Sequence, residues 1–157
     1  MDTEARVLID FMDSVFYGPG WHGAELYSTL QSLSLEQARQ PGGPDGYSAW
    51  QLALHSAYWK HVILQRLGVT AKPFERAPDD FPALPQTPDQ SAWEADLQLL
   101  VDKHEAIKSE VRRLGNAELG QASIDESFSK ESLVLSIAAH DAYHTGHLRN
   151  MGISGLV

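Results

Sequence analysis

Two histidines one helical turn apart are the residues of this sequence with the clearest chemical meaning. His140 and His144 are separated by four positions in a stretch with helical periodicity. Residues i and i+4 share one face of a helix, so two imidazoles at this spacing can reach one metal ion. Leu133, Ser136 and Ile137 share that face, which predicts that it points into the core. Buried polar groups are costly without partners, so a core-facing histidine pair needs a partner such as a metal ion.

A third metal ligand has to come from another helix. His147 continues the stripe, but it lies roughly 10 Å along the helix axis from His140, too far for one centre on a straight helix. His55 lies on an apolar face of a second predicted helix, His104 on the inward stripe of a third, and His22 in a break after the first. Three histidines suit zinc, nickel, copper or iron(II), and three protein ligands leave open positions, as in catalytic sites.

The sequence shows no convincing general base beside these histidines. Asp141 stands where the metalloprotease motif has Glu after its first histidine, so that motif does not apply. Asp141 lies off the histidine stripe, and a solvated or capping role explains it as well as a catalytic one. The acidic residues within 75–89 are interpreted as solvated.

The composition narrows the classes of function. The 157 residues include seven histidines and no cysteine, which excludes disulfides, thiolate metal sites and a cysteine nucleophile. The formal net charge of -9 disfavours contact with nucleic acid phosphates. No apolar run approaches the roughly 20 residues of a membrane span, and the first residues do not resemble a signal peptide. We therefore expect a cytoplasmic protein that binds neither nucleic acid nor membranes.

Helices must position the histidines, and the periodicity predicts four of them, at residues 3–17, 49–67, 88–114 and 130–151. Each is followed by a glycine that can take the left-handed conformation at a helix end: Gly18, Gly68, Gly115 and Gly152. A shorter amphipathic piece within 26–33 is interpreted as a continuation of the first helix after a break. The absence of strand alternation predicts an all-α four-helix bundle, a single domain over 1–157.

Capping residues and one apolar stripe support these helices. Ser48 with Gln51 and Thr87 with Gln90 have the spacing of capping boxes, and Ser129 suits the start of the fourth helix. The third helix carries a stripe with alternating steps of four and three, typical of antiparallel packing in a bundle; it comprises Trp93, Leu97, Leu100, His104, Ile107, Val111 and Leu114. The long connector 69–87 contains four prolines and two phenylalanines, and we expect it to lie along the bundle.

Several short motifs, in their order along the chain, resemble those of the DinB/YfiT-like family. They are the segment from His140 to Gly146, the lone His55 in the second helix, Trp21-His22-Gly23 and Asp80-Phe81-Pro82. The resemblance covers nearly the whole chain. It implies a four-helix bundle with a long crossover loop between its second and third helices, often assembled as a homodimer.

The resemblance also implies a site and an activity. A divalent metal, with zinc or nickel favoured, would be held by His55, His140 and His144. The family usually has Gln where His147 stands, so that position departs from its pattern. Some members resemble transferases that join a low-molecular-weight thiol to an electrophile. Others resemble metal-dependent hydrolases, and a non-catalytic metal-binding role in stress response is a third interpretation. Since the chain has no cysteine, any thiol must arrive as a co-substrate.

Five further residues are candidates for the surroundings of the site. Trp59 would line a substrate pocket or, as the favoured interpretation, pack in the core. Tyr143 would donate a hydrogen bond toward the site or pack against it. His104 would support a ligand or, as we favour, bond within the core. His147 and His22 are neighbours without an assigned role.

A homodimer interface is expected on two small-residue faces. One is the face of the fourth helix opposite the histidines, with Leu135, Ala138, Ala142 and Gly146. The other is a matching face of the second helix, with Trp50, Ala53, Ala57 and Leu64. Small residues let helices approach closely, and two opposed apolar faces exceed what one seam requires. The alternative is that the 69–87 loop covers one of these faces.

Overall fold

Six α-helices form the regular structure of residues 2–153 and 155–156, the part of the chain that this computed structural model describes. They are α1 (Thr3–Phe16), α2 (Leu26–Gln31), α3 (Leu35–Arg39), α4 (Ala49–Arg66), α5 (Gln90–Leu119) and α6 (Lys130–Arg149). No β-strand occurs in these residues, so the prediction of an all-α fold is confirmed. Met1, Ser154 and Val157 of the predicted domain lie outside the described residues.

The four predicted helices correspond to α1, α4, α5 and α6. Both α1 and α4 pack against α5 and against α6. The helices that carry His55 and the His140/His144 pair are therefore neighbours. The segment after the break forms a helix of its own, α2, and the short helix α3 was not predicted.

Helix termini follow the capping chemistry in most places. Ser48 and Gln51 form the predicted capping box, and the Ser129 hydroxyl accepts a hydrogen bond from the backbone N–H of Ser132. The predicted box at Thr87 is wrong, because the side chain of Asp89 caps α5 instead, by accepting from the N–H of Ala92. Carboxylates are favoured at helix N-termini, where the backbone N–H groups have no other partner.

Gly115 interrupts α5 rather than ending it. Its φ of 59° and ψ of -178° lie outside the helical region, yet the helix assignment resumes and extends to Leu119. Glycine carries no Cβ, so it adopts this left-handed φ without steric strain. The predicted helix end at 114 therefore corresponds to a break at Gly115, after which a second helical segment extends to Leu119.

Apolar burial accounts for the positions of the long helices. Every member of the predicted α5 stripe is buried, from Trp93 to Leu114. Each such side chain contributes roughly 1.5–3 kcal/mol when it is fully removed from water. Of the two faces expected to form a dimer interface, the α4 face is buried in this way, whereas on the α6 face Leu135 is 41% exposed and Gly146 is also exposed. Trp50, Ala53 and Ala57 are 0% exposed and Ala138 is 1% exposed.

The predicted interface is therefore wrong for the α4 face, which packs inside one chain, and stays a prediction for the α6 face. The homodimer itself stays a prediction.

The connector between α4 and α5 packs on the helices, as the sequence predicts. The Arg76 guanidinium binds the Asp96 carboxylate of α5, and the Glu75 carboxylate accepts from the Lys103 ammonium. Phe74 packs edge-on against Tyr58 of α4. These contacts hold the part of the loop that precedes Asp80 against α4 and α5. Among the described helices, none has the length and apolarity needed to cross a membrane.

Candidate metal centre

The neighbouring helices α4 and α6 bring three histidines to one point. His55 comes from the middle of α4, and His140 and His144 come from successive turns of α6. The Nε2 atom of His144 lies 3.1 Å from the Nε2 atom of His55 and 3.1 Å from that of His140. The ligand atoms of all three residues lie within 4.8 Å of one another. His55 and His144 are buried, and His140 is half-buried.

The hydrogen bond on the far side of His55 fixes its tautomer. The Nδ1 atom of His55 lies 2.8 Å from the backbone carbonyl oxygen of Asp80, which can only accept a hydrogen bond. Nδ1 therefore carries the hydrogen, and the neutral ring presents a lone pair on Nε2. A metal ligand is oriented in the same way, by a hydrogen bond from its other ring nitrogen. His55 thus points its basic atom at the other two histidines.

Burial keeps the three imidazoles neutral. Burial, together with the neighbouring histidines, lowers the pKa of His140 to about 3 and that of His144 to about 4. Burial also lowers the pKa of His55, although Asp80 opposes that shift. At neutral pH these rings are in the uncharged form that binds metal ions.

Hydrogen bonds among the three rings cannot satisfy all the Nε2 atoms. The Nε2 atom of His144 contacts the Nε2 atoms of both His55 and His140, and the Nε2 atom of His55 carries no hydrogen. If the Nε2–H of His144 donates to His55, His144 has no lone pair on Nε2 to accept a hydrogen bond from His140. If Nε2 of His144 instead accepts from His140, it carries no hydrogen, and the lone pairs of His144 and His55 face each other. A cation between the rings would satisfy every Nε2 at once.

The donor set and its spacing fit a divalent ion. Imidazoles are ligands for zinc, copper, iron and nickel. With zinc–nitrogen bonds of about 2.0–2.1 Å, two ligands of a tetrahedral centre lie about 3.3–3.4 Å apart. The two close contacts of His144, at 3.1 Å, are near this value. The group of His55, His140 and His144 can therefore hold a metal ion.

Comparison with known families agrees with this architecture. The family model of the DinB superfamily matches residues 21–148, more than three quarters of the chain. The chain belongs to the DinB superfamily. All three histidines lie within the matched region, as do the whole of α4 and most of α6. No curated protein and no solved structure matches this DinB-superfamily chain.

The loop before α5 contributes a residue that the sequence analysis missed. Asp80 was expected to be solvated, but its carboxylate Oδ1 accepts a 2.7 Å hydrogen bond from the indole N–H of Trp59. The same oxygen lies 3.1 Å from Nδ1 of His55. Asp80 adopts a left-handed φ of 70°, which Asp tolerates better than most residues. Asp80 is solvent-exposed, as expected, with 53% of its side chain accessible, but it also holds a candidate ligand of this DinB-superfamily site in place.

Stacked rings shield the outer side of His55. Phe81 stacks on the His55 ring at a centroid distance of 4.0 Å, and Tyr47 stacks on the other face of Phe81 at 3.9 Å. This three-ring column closes His55 off from solvent on one side. The Asp80-Phe81 part of the motif quoted above thus supplies both a hydrogen bond and a covering ring.

An ion pair between α4 and α6 lies next to the histidines. The Lys60 ammonium donates to the Asp141 carboxylate at 2.5 Å, and both side chains are almost completely buried. Burial raises the pKa of Asp141, although the charge of Lys60 opposes that shift. The solvated and capping interpretations of Asp141 are wrong. The residue is fixed by Lys60, and this also disfavours it as a general base.

The other candidate residues lie outside the three-histidine group. Tyr143 is 71% exposed, and its ring is nearly perpendicular to that of His144 at a centroid distance of 5.0 Å. The ring centre of His147 lies 6.1 Å from that of His144. His22 is exposed on the other side of α6, beside Thr145 and Arg149. Trp59 is half-buried; it packs on the core and also borders a cavity beside His140.

A second polar cluster surrounds His104. Its Nε2 atom lies 3.0 Å from the Asp13 carboxylate, and its ring stacks on Phe16 at 3.9 Å. Glu105 completes a set of ligand-type atoms within 4.8 Å of one another. The Lys108 ammonium contacts Asp13 at 2.8 Å and Glu105 at 2.9 Å. His104 is therefore bonded within the core, as the sequence analysis favoured.

Proposed function

We propose that His55, His140 and His144 bind a divalent metal ion, zinc or nickel, and that the protein transfers a low-molecular-weight thiol to an electrophilic small molecule. The convergence of three neutral Nε2 atoms on one point carries this proposal. Three protein ligands leave coordination positions for a substrate, which is the arrangement of catalytic rather than structural zinc sites.

The surroundings of the histidines favour a thiol over water as the nucleophile. The group of ligand atoms contains no carboxylate, Asp141 is bound by Lys60, and Asp80 is engaged behind His55. Even when a divalent ion lowers its pKa, a bound water has to pass a proton on during attack, and a positioned base would assist that step. A thiol has a pKa of about 8.5 and needs less help to ionise. Because the chain has no cysteine, that thiol must be a co-substrate.

The transfer balances without an oxidant or a reductant. The thiol loses its S–H proton, a sulfur lone pair forms the new sulfur–carbon bond, and the leaving group departs with its electron pair and takes up a proton. A bound divalent ion would supply a Lewis acid that favours the deprotonated thiol. Asp80 orients His55, and the stack of Tyr47 and Phe81 keeps water from its outer face.

Metal content tests the first half of the proposal. The chain would be produced without a nickel column, from cells supplied with zinc and nickel, and bound metal measured by mass spectrometry. We expect close to one metal ion per chain in the wild type and in His22→Ala, which alters an exposed histidine. His140→Ala should be nearly metal-free. A metal-free wild type would contradict the proposal.

Thiol consumption tests the second half. Glutathione, cysteine and coenzyme A would each be paired with monobromobimane, beside p-nitrophenyl acetate and an anilide as hydrolysis substrates. We expect thioether formation by the metal-loaded chain above the uncatalysed rate, and none above it in His140→Ala. Turnover of the ester or anilide alone would identify a hydrolase instead. Metal binding without turnover in either set would count against catalysis.

A further inference from the structure

A cavity of about 190 Å³ lies between α4 and α6, directly beside the histidine group. Its walls come from residues spaced at helical turns on the two helices. Trp59, Ile63 and Arg66 line it from α4, and Leu133, Ile137 and His140 line it from α6. Seven residues of α6 span roughly 10 Å. The cavity therefore runs from a candidate metal ligand along the seam between the helices.

The lining of this cavity is mainly apolar. Ile63, Leu133 and Ile137 are buried core residues that expose only small areas to it. Phe128, which is 58% exposed, forms part of the wall from the loop before α6. Large apolar side chains at a concave surface are typical of small-molecule sites.

The polar side chains of the lining are engaged with other groups of the protein. The Arg66 guanidinium pairs with Asp125 at 3.2 Å, and the Ser136 hydroxyl donates to the Ser132 carbonyl oxygen at 2.7 Å. His140 directs its Nε2 atom toward His144. A ligand inside the cavity would thus meet mainly apolar surface, and Arg66 offers little attraction to an anion because Asp125 already pairs with it.

The volume of the cavity suits a ligand group with one ring or a short branched chain. An apolar cavity of about 150 Å³ is large enough for benzene, and this one is slightly larger. Drug-sized ligands need about 300 Å³ or more.

We propose that this cavity binds the neutral apolar part of the electrophilic substrate, a single ring or a group of similar size. The proposal rests on the thiol transfer proposed above. Held beside Trp59, such a group would present an attached electrophilic carbon toward His140, the member of the histidine group that lines the cavity. The substrate class is thus a small neutral electrophile with one aromatic or branched aliphatic group.

Ligand-observed NMR tests this pocket independently of any turnover. Saturation transfer from the full-length chain to benzyl alcohol, cyclohexanol and benzoate would be measured with zinc and without it. Ser136→Trp places an indole into the cavity, and Ala139→Trp places the same side chain on the exposed face of α6 nearby. Circular dichroism and metal content would verify that each variant is folded and loaded. Ser136→Leu provides a smaller filling variant.

We expect benzyl alcohol and cyclohexanol to bind the wild type and Ala139→Trp alike, and benzoate to bind more weakly. Ser136→Trp should lower the affinity for the two alcohols by about tenfold or more, and Ser136→Leu by less. Absence of alcohol binding to the wild type, or equal binding to a folded Ser136→Trp, would overturn the proposal.

Turnover then separates failure of the pocket from failure of the proposed function. In one outcome, Ser136→Trp abolishes alcohol binding but the wild type transfers no thiol. This result supports the cavity as a binding site and contradicts thiol transfer as the function. In the other outcome, the protein transfers thiol, but kcat/KM is the same for apolar and polar electrophiles and is unchanged in Ser136→Trp. This result supports the proposed function and contradicts the proposed role of the cavity.

Discussion

Two clusters of metal-ligand side chains lie inside this helical protein. They differ in whether a positively charged side chain of the protein already contacts the ligand atoms. The cluster of Asp13, His104 and Glu105 includes two carboxylates, and Lys108 contacts both of them. The cluster of His55, His140 and His144 has three neutral bases facing one another. Within the described residues, no lysine or arginine is hydrogen-bonded to these three rings. Only the second cluster still needs a cation.

The same contrast appears in the hydrogen bonds of the two sites. His104 donates from Nε2 to Asp13 as a neutral imidazole, because burial lowers its pKa to about 2. Its hydrogen bond therefore satisfies the carboxylate without a charge on the ring. His144 has two ring-nitrogen neighbours and can satisfy only one of them. Proximity of ligand-type residues is therefore insufficient to identify a metal site; the local charge and hydrogen-bond balance decides it.

Lys60 influences both clusters. Its positive charge lowers the pKa of His104 and that of His140. Its ammonium is bound to Asp141 and lies 5.1 Å from the ring centre of Phe16, which stacks on His104. The buried ion pair is therefore the element whose loss should disturb the whole interior.

The largest expected effect is on folding stability, from Asp141→Ala. This change leaves Lys60 buried and charged without its partner, which costs about 3–5 kcal/mol of the free energy of unfolding. Urea unfolding of the metal-free chain measures it. Asp10→Ala, at an exposed position of α1, should change stability by less than about 0.5 kcal/mol. An Asp141→Ala variant as stable as the wild type would show that the pair does not hold α4 against α6.

His144→Ala and His104→Ala should separate the two clusters. His144→Ala removes the central Nε2, and zinc affinity should fall by more than about 100-fold, since losing only a ligand's supporting group costs roughly 10- to 100-fold. His104→Ala should leave zinc affinity unchanged while lowering the free energy of unfolding by about 2–5 kcal/mol, as emptied core sites do. Competition with a zinc chelator, together with urea unfolding, measures both. Equal zinc affinity of the His144→Ala variant and the wild type would exclude the candidate centre.

The depressed pKa of His104 predicts a dependence of stability on pH. The folded pKa is about 2 and that of an unfolded histidine about 6.5, so the unfolded chain binds more protons between these values. The contribution of neutral His104 to the free energy of unfolding is fully present above about pH 6.5. Below that pH it declines, by at most about 1.4 kcal/mol per pH unit. Burial lowers the pKa of the ring most, the charges of Lys60 and Lys108 lower it too, and Glu105 raises it; the Asp13 carboxylate also faces the ring, at 3.0 Å from Nε2.

His104→Gln should remove this contribution to the slope. Urea unfolding of the metal-free wild type and variant, compared between about pH 7 and pH 5, measures the difference in slope. His22→Gln, at an exposed histidine, serves as the control and should follow the wild type. Identical slopes for all three proteins would mean that His104 ionises normally in the folded chain.

The smallest expected effect comes from the loop behind His55. Asp80→Asn keeps a residue that tolerates the left-handed φ but removes the charge beside Nδ1. Zinc affinity should fall by about tenfold, at the low end for such supporting groups, because the backbone carbonyl oxygen still accepts from Nδ1. Asp79→Asn, at the neighbouring exposed position, should have no effect. Chelator competition would contradict the role of Asp80 if the two variants bound zinc equally.

Periodic features were predictable from the sequence, and features of the loop were not. The spacing of His140 and His144, the stripe of α5 and the cap at Ser48 follow from helix geometry, so pattern analysis identified them. Asp80 is separated from His55 by 25 residues, and its approach depends on how the connector folds back. No local spacing encodes such a contact.

The buried ion pair escaped prediction for a different reason. Lys60 and Asp141 are charged residues on separate helices, and charged side chains are mostly exposed in proteins. Each one alone is best interpreted as solvated, and only the packing of α4 against α6 shows that they meet. The cap of α5 was misplaced because Thr87 and Asp89 both suit a helix start, and the sequence does not rank them.

The indole of Trp59 gives this protein a built-in optical reporter. Its ring centre lies 6.4 Å from that of His55 and 6.4 Å from that of His140, and its N–H is tied to the loop through Asp80. Copper(II) or nickel(II) bound between the histidines would quench its fluorescence at contact range, whereas zinc would not. Occupancy of the centre by copper(II) or nickel(II) would therefore reduce the Trp59 contribution to the emission of the chain's four tryptophans, without any added label.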